Sequence, residues 1–273
     1  MASTNTKKAA VVGTVVLLAI VATIVIFKTM AAARRNAQRN ASMAKAKTGV
    51  PTDPQAIAQA AEKSKILIFR NIRSWNRLQD FEEALAILHF KFDVKPSAAM
   101  DSTDLSPYDV VIIPGAQWKT GFYSAYAENA ARFESYVSNG GTLVLELNGA
   151  EQEGITLPGG VTMVQHGAVD NQLLLPEHPI LLPLGGAPIH ANFASHGYLA
   201  GAPKNAVILT TEMTNGAPIM NRPTFIEYPC GSGRIIAACQ CFHSQDRSGR
   251  GPLMQTLLAY AAVKQWFSPG KSR

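Results

Sequence analysis

The chain has 273 residues, with 25 Lys and Arg against 19 Asp and Glu, and a formal net charge of +6. The excess of basic residues is confined to the N-terminal region. Residues 1–47 hold eight basic residues and no acidic one, whereas residues 48–273 hold 17 basic and 19 acidic residues. A nearly neutral body argues against a general phosphate-binding surface, so the sequence predicts no nucleic-acid partner. Three cysteines are too few for a disulfide scaffold.

An uncharged apolar run from Ala9 to Phe27 follows an N-terminal tail of residues 1–8. Because a helix needs about 20 apolar residues to cross a bilayer, the run predicts a single transmembrane helix over residues 9–30. A cleaved signal peptide is the alternative, but its apolar core is shorter than this run. The first expected partner is therefore the lipid bilayer.

A basic, Ala-rich stalk and linker is predicted over residues 31–54. Lys28, Arg34, Arg35 and Arg39 are the expected contacts with anionic lipid head groups. A solvated basic stalk explains the same composition. Since this side of the apolar run carries the heavier positive charge, the positive-inside rule predicts an inner-membrane protein with its large domain on the cytoplasmic side.

Residues 55–273 are predicted to form one domain in which strands and helices alternate. Strands are expected at Lys65–Arg70, Phe92–Val94, Tyr108–Gly115 and Thr142–Leu147, and helices at Gln55–Lys63, Asn76–Phe90 and Ser124–Ser138. This alternation predicts right-handed crossovers and a mainly parallel sheet with helices on both faces, an α/β fold.

Beyond Asn148 the pattern weakens. Short strands are expected at Thr162–Gln165, Val207–Thr211, Thr224–Tyr228 and Arg234–Cys239. The glycines of Gly231-Ser232-Gly233 predict a hairpin turn between the last two strands. A closing helix is expected over Pro252–Phe267.

Three stretches of the sequence carry a resemblance to a known family. They are YDVVIIPG (Tyr108–Gly115), ARFESYVSNGGTLVLELNG (Ala131–Gly149) and CGSGRIIAACQCFH (Cys230–His243). Together they resemble the class I glutamine amidotransferase-like superfamily, and the third is similar to its ThuA-like branch. The resemblance implies a flavodoxin-like three-layer sandwich with its site at the carboxyl ends of the strands.

The sequence departs from this family at the residue that matters most. Catalytic members carry a cysteine nucleophile on the turn after the strand that corresponds to Thr142–Leu147. Here the turn reads Asn148-Gly149-Ala150, which supplies no thiolate. The resemblance therefore implies the fold without the amidotransferase chemistry.

Polar and aromatic residues follow three of the predicted parallel strands. Arg70, Asn71, Gln117, Trp118 and Asn148 are the candidate ligand-binding residues, since parallel strands place ligands at their carboxyl ends. The competing interpretation is a surface loop with ordinary polar residues.

Two residues are weak candidates for catalysis. His243 is an imidazole that titrates near neutral pH, and Glu146 ends a predicted strand. A hydrogen-bonded turn histidine explains His243 equally simply. The sequence predicts no cofactor and no metal site, because it has neither a phosphate-binding glycine loop nor zinc-like ligand spacing.

These observations favour a non-catalytic, membrane-anchored amidotransferase-like domain. It would act as an interaction or structural module, an accessory subunit of a larger membrane complex with other membrane proteins as partners. The alternative is a membrane-tethered ThuA-like enzyme or carbohydrate-binding protein.

Overall fold

A computed structural model describes residues 54–74, 80–240, 242 and 252–263 of the chain. All of them fall in the unit formed by residues 49–273. The predicted tail, the predicted transmembrane helix and the stalk up to residue 53 lie outside the described residues. So do Lys28, Arg34, Arg35, Arg39 and His243.

Five α-helices occur within the described residues. They are α1 (Pro54–Lys63), α2 (Asp80–Ile87), α3 (Phe122–Glu128), α4 (Ala130–Ser138) and α5 (Pro252–Ala262). Three short 3₁₀ turns accompany them, η1 (Ser97–Ala99), η2 (Ala150–Gln152) and η3 (Pro179–Leu184). The predicted helix over Ser124–Ser138 is two helices that meet at Asn129, where φ and ψ are −103° and 10° and the side chain donates a hydrogen bond of 2.9 Å to the Ala125 carbonyl.

Nine strands form one sheet within the same residues. They are β1 (Lys65–Phe69), β2 (Lys91–Lys95), β3 (Val110–Ile113), β4 (Thr142–Glu146), β5 (Thr162–Leu173), β6 (Ile189–Ala200), β7 (Val207–Thr214), β8 (Ala217–Cys230) and β9 (Gly233–Ala238). Their order across the sheet is β2-β1-β3-β4-β9-β8-β7-β5-β6. Strands β2, β1, β3, β4 and β9 pair in parallel, whereas β9-β8, β8-β7, β7-β5 and β5-β6 pair antiparallel.

The predicted mainly parallel, flavodoxin-like three-layer sandwich is therefore wrong, because half of the strand pairs are antiparallel.

We call strands β5 to β8 the antiparallel half. A tight turn explains why β7 and β8 run antiparallel. Asn215 and Gly216 join β7 to β8 with φ angles of 52° and 77°, the left-handed pair that a tight two-residue hairpin requires.

The predicted transmembrane helix and single-pass anchor also lack support in the structure. None of the helices in the described part of the chain is long and apolar enough to cross a bilayer. Residues 9–30 themselves are not among those described.

Two apolar clusters sandwich the sheet, because alternate side chains of each strand point to opposite faces. In β1, Ile66 and Ile68 belong to the cluster that contains α5, while Leu67 and Phe69 belong to the cluster that contains α4. The central strands are thus buried on both faces, which explains why they read as continuous apolar runs.

A buried ion network joins the two halves of the sheet. On β9, Arg234 Nη1 lies 3.2 Å from Glu227 Oε1 on β8, and both side chains are 2% exposed. The Tyr260 hydroxyl of α5 donates to the same carboxylate at 2.9 Å from Oε2. His178, just before η3, places Nε2 3.3 Å from Oε2.

The guanidinium of Arg234 also completes the end of a helix. Its Nη2 donates to the carbonyls of Tyr260 and Ala261 at 2.6 and 2.9 Å, two acceptors that the last turn of α5 leaves without helical partners. One side chain therefore fixes β8, β9 and α5 together.

Arg234→Met is expected to lower the free energy of unfolding by about 3–5 kcal/mol, because it leaves the buried Glu227 carboxylate without its cation. Urea unfolding followed by far-UV circular dichroism measures the change. The exposed Arg73→Met is the control and should stay within about 0.5 kcal/mol of the parent. Adding Glu227→Leu to Arg234→Met should recover part of the loss. A loss below about 1 kcal/mol in the single variant would contradict this role of the pair.

Buried tyrosines predict a loss of stability in alkali. Burial raises the pKa values of Tyr123, Tyr126, Tyr136, Tyr228 and Tyr260. Groups with a raised folded pKa stabilise the protein fully below their unfolded pKa of about 10, and this contribution falls as the pH rises above it. Tyrosinate absorbance at 295 nm should therefore appear together with the loss of circular dichroism. Gradual ionisation of all the tyrosines in a protein that stays folded would be the opposite result.

Candidate functional site

The structure brings the five candidate ligand-binding residues to one edge of the sheet. Arg70 and Asn71 follow β1, Gln117 and Trp118 follow β3, and Asn148 follows β4. These three strands are parallel neighbours, so their carboxyl ends lie side by side. We call this region the strand-end edge.

Gln117 is fully buried and bonds to the backbone of the neighbouring strand end. Its Oε1 accepts hydrogen bonds from the amides of Asn71 and Ile72 at 2.8 and 3.0 Å. Its Nε2 donates to the Ile72 carbonyl at 2.9 Å. The side chain substitutes for strand pairing where β1 has ended, and it offers no free group to a ligand.

Asn71 is engaged in a similar way. Its Oδ1 accepts from the amide of Ser97 at 2.8 Å, and its Nδ2 donates to the hydroxyl of the same serine at 2.8 Å. This two-bond contact holds η1 against the end of β1.

Arg70 is paired with an acid that the sequence analysis did not identify. Its Nε lies 2.8 Å from Glu82 Oε1 of α2, and both side chains are buried. Burial raises the pKa of Glu82, although the charge of Arg70 opposes that shift. Nothing in the sequence pattern connects these two residues, because only the packing of α2 on the sheet brings them together.

Glu146 is buried, and both of its carboxylate oxygens accept backbone hydrogen bonds. Oε2 accepts from the amide of Gly115 and Oε1 from that of Phe242, each at 3.1 Å. Gln152, another fully buried residue missed by the sequence analysis, donates to the Glu146 carbonyl at 2.9 Å. The predicted catalytic acid therefore joins three chain segments.

Asn148 locks the turn after β3. Its Oδ1 accepts from the amide of Ala116 at 2.8 Å, and Ala116 has a left-handed φ of 56°. Its buried Nδ2 has no hydrogen-bond partner among the described residues. A Cβ on Gly115 would lie 2.2 Å from Asn148 Oδ1, so only glycine allows this approach.

Trp118 is the exception at this edge, since its side chain is 36% exposed. Its indole lies over Gly149, where a Cβ would meet Nε1 at 2.7 Å. A neighbouring cleft of about 660 Å³ is lined by Tyr123, Glu151 and other residues, but by none of the predicted site residues. The tryptophan therefore faces an open surface.

Within the described residues, the turn after β4 carries no cysteine nucleophile. Asn148 and Gly149 occupy the turn after β4. Cys239, the residue after β9, is fully buried, and burial raises the pKa of its thiol well above the ordinary value, which disfavours a thiolate. His243, the predicted partner of Glu146, lies outside the described residues. The hydrogen bonds of this edge hold the strand ends and the turns after them together.

The antiparallel half carries the most exposed large apolar side chains of the described residues. Val169 on β5, Phe193 on β6 and Met220 on β8 are 53%, 57% and 58% exposed. Phe193 stacks on His196 with ring centroids 5.1 Å apart and 15° between the planes. The sequence analysis missed these positions, because it predicted no strand over β6, ended β5 at Gln165 and began β8 only at Thr224.

Comparisons with known proteins leave the family open. No family model matches the chain. Over 211 residues, 76% of this chain, the sequence is 22% identical to an uncharacterised protein of Clostridium acetobutylicum. The match covers 21% of that protein, so the chain spans about a fifth of this relative's length. The resemblance to the amidotransferase-like superfamily stays a prediction.

Several solved structures share part of the architecture. Two cytoplasmic proteins from Salmonella typhimurium match 72% and 74% of this chain and 97% and 98% of their own, with TM-scores of 0.44 and 0.46 at 15% and 14% identity. A β-galactosidase from Bacillus circulans matches 76% of this chain and 32% of its own, with a TM-score of 0.42 at 17% identity. Likenesses this distant do not assign an activity.

Gly115→Ala is expected to lower the free energy of unfolding by about 2–4 kcal/mol, because the new methyl group displaces Asn148 and breaks its bond to Ala116. Gly167→Ala is the matched control. A Cβ there meets only the Phe193 ring at 3.5 Å, an ordinary contact. Thermal and urea unfolding of both variants measure the difference. Equal stability of the two variants would contradict the proposed tight approach.

Proposed function

We propose that the described part of this protein is a non-catalytic interaction module that binds another protein within a larger complex. The single observation that carries the proposal is the exposure of Val169, Phe193 and Met220 on three strands of the antiparallel half. Exposed apolar side chains that cluster are typical of surfaces that bind a partner. The Phe193 ring lies against Gly167, two residues before Val169, so β5 and β6 contribute to one apolar area.

The strand-end edge supports the non-catalytic part of the proposal. Gln117 and Glu146 are buried and their oxygens accept backbone hydrogen bonds, so neither presents a reactive group to solvent. The alternative enzyme needs Glu146 as an accessible acid or base. General acid–base catalysis requires direct contact with the substrate proton, or contact through one water.

A cytoplasmic location is part of the same proposal. Cys230 and Cys239 are both free thiols in the structure. Free cysteines are typical of reducing compartments, whereas exported proteins tend to pair them.

The test is a double substitution, Phe193→Ser with Met220→Ser, in the full chain produced in its own cells. We expect the parent protein to elute in a complex larger than one chain and the double variant to elute as a single chain, because the apolar contact area is lost. Native size-exclusion chromatography with mass photometry measures both. The unfolding free energy should stay within about 0.5 kcal/mol, since both positions are exposed.

The matched control is Val94→Ser, an exposed apolar side chain on β2 at the opposite end of the sheet. It should leave the complex intact. A parent protein that is always monomeric, or a double variant that keeps its partner, would refute the interaction surface.

A further inference from the structure

A bulge in β8 determines where a charged side chain of the antiparallel half, Arg222, lies. Thr211 of β7 pairs with Pro223 and Met213 pairs with Pro218, so a step of two residues on β7 faces a step of five on β8. The Thr211 hydroxyl closes the bulge, since it lies within hydrogen-bond reach of the Ile219 and Arg222 carbonyls. Bulges of this kind commonly redirect a side chain at a functional site.

Arg222 is the side chain that the bulge presents. One nitrogen, Nη1, donates to Glu212 Oε2 at 3.1 Å and to His166 Nε2 at 3.3 Å. The guanidinium carbon lies 5.4 Å from the centre of the Tyr198 ring, a cation–π contact. Three neighbouring strands thus hold the guanidinium in one orientation.

The hydrogen bonds also define the charge of this cluster. Arginine only donates, so His166 Nε2 accepts, and its Nδ1 donates to Glu212 Oε1 at 2.9 Å. Glu212, with a side chain 1% exposed, has both oxygens occupied, and its charge balances that of Arg222.

In the part of the chain that the structure describes, half of the guanidinium has no protein partner. Nη1 uses both of its hydrogens on Glu212 and His166, whereas Nε and Nη2 form no hydrogen bond with any residue in the described ranges. The Arg222 side chain is 33% exposed and the flanking His166 is 44% exposed. The open edge is a planar pair of donors already fixed in position.

We propose that this edge of Arg222 binds a carboxylate group. A guanidinium edge matches the two oxygens of a carboxylate bidentately, and fixing it beforehand removes an entropic cost of binding. Arg222 and Glu212 carry opposite charges, so the second negative charge of a phosphate gains little net attraction, and a planar carboxylate fits the planar edge. In the proposed function the carboxylate belongs to an acidic residue of the partner protein, and only this last step rests on that proposal.

The test uses acetate as the probe and the full chain labelled with ¹³C in its histidine rings. At constant ionic strength, the His166 ring resonances, identified with His166→Gln, should shift saturably with acetate. They should not shift with neutral acetamide, and phosphate should bind more weakly than acetate. The His190 resonances are the internal control, since that exposed ring pairs with Asp170. No saturable shift, or tighter binding of phosphate, overturns the carboxylate site.

Two variants separate the site from the fold. Arg222→Gln should weaken acetate binding by at least about tenfold, because the donors of a charge-assisted pair are lost. Arg222→Lys keeps a cation beside Glu212 but lacks the planar fork, so it should still weaken binding by at least about threefold. Parent-like acetate binding in Arg222→Lys overturns the bidentate edge.

The two proposals fail in different experiments. The Phe193→Ser single variant should bind acetate as the parent does, because Phe193 lies on β6, outside the β8 bulge that presents Arg222. A parent protein that assembles with its partner but shows no acetate binding refutes the carboxylate site alone. Acetate binding in a protein that is always monomeric refutes the interaction module alone and leaves the site with a free carboxylic acid as its ligand.

Discussion

The buried pair of Glu227 and Arg234 stands where two differently built halves of the sheet meet. Strand β9 runs parallel to β4 on one side and antiparallel to β8 on the other, and Arg234 lies on this shared strand. Because an unpaired buried charge costs several kcal/mol, a slip of β8 against β9 that parts the pair is strongly disfavoured. The same guanidinium ends α5, so the sheet register and the helix position depend on one residue.

The Glu227–Arg234 pair joins the parallel strands, which carry the strand-end edge, to the antiparallel half. On the parallel side, the strand ends are held level, and Gln117, Asn148 and Glu146 use their polar atoms to join them. On the antiparallel side, long strands continue past the helices and expose apolar side chains. In parallel sheets the carboxyl ends of the strands commonly bind ligands. Here the polar side chains at those ends bond to the protein's own backbone, and the antiparallel half provides the exposed apolar surface.

The sequence predicted the parallel half well, because β1, β3, β4 and β9 are buried on both faces and contain apolar runs. In the antiparallel half it located parts of β5, β7 and β8 and the β8–β9 hairpin, but it missed β6 and the full length of the other strands. β6 contains three Ala, two His, one Asn and one Gly among its 12 residues, and it forms a strand through pairing with β5 rather than through its own propensity. The dipeptide Asn215-Gly216 was the available signal for the β7–β8 hairpin.

The candidate site shows a different limit of prediction from the sequence. The rule that parallel strands bind ligands at their carboxyl ends correctly placed Arg70, Gln117 and Asn148 at one edge. Whether these side chains are accessible depends on contacts between distant segments, which the sequence does not show. Arg70 is neutralised by Glu82 of α2. His166, Glu212 and Arg222 meet only because a bulge and three strands bring them together, and no spacing in the sequence marks them.

Amide hydrogen exchange of the full chain, measured with and without its native partner, tests the central claim most directly. If the antiparallel half is the binding surface, protection on complex formation should concentrate in β5, β6 and the bulge of β8, with little change around residues 115–119 and 146–152. Protection confined to those two strand-end segments would contradict the account and return the binding site to the carboxyl ends of the parallel strands.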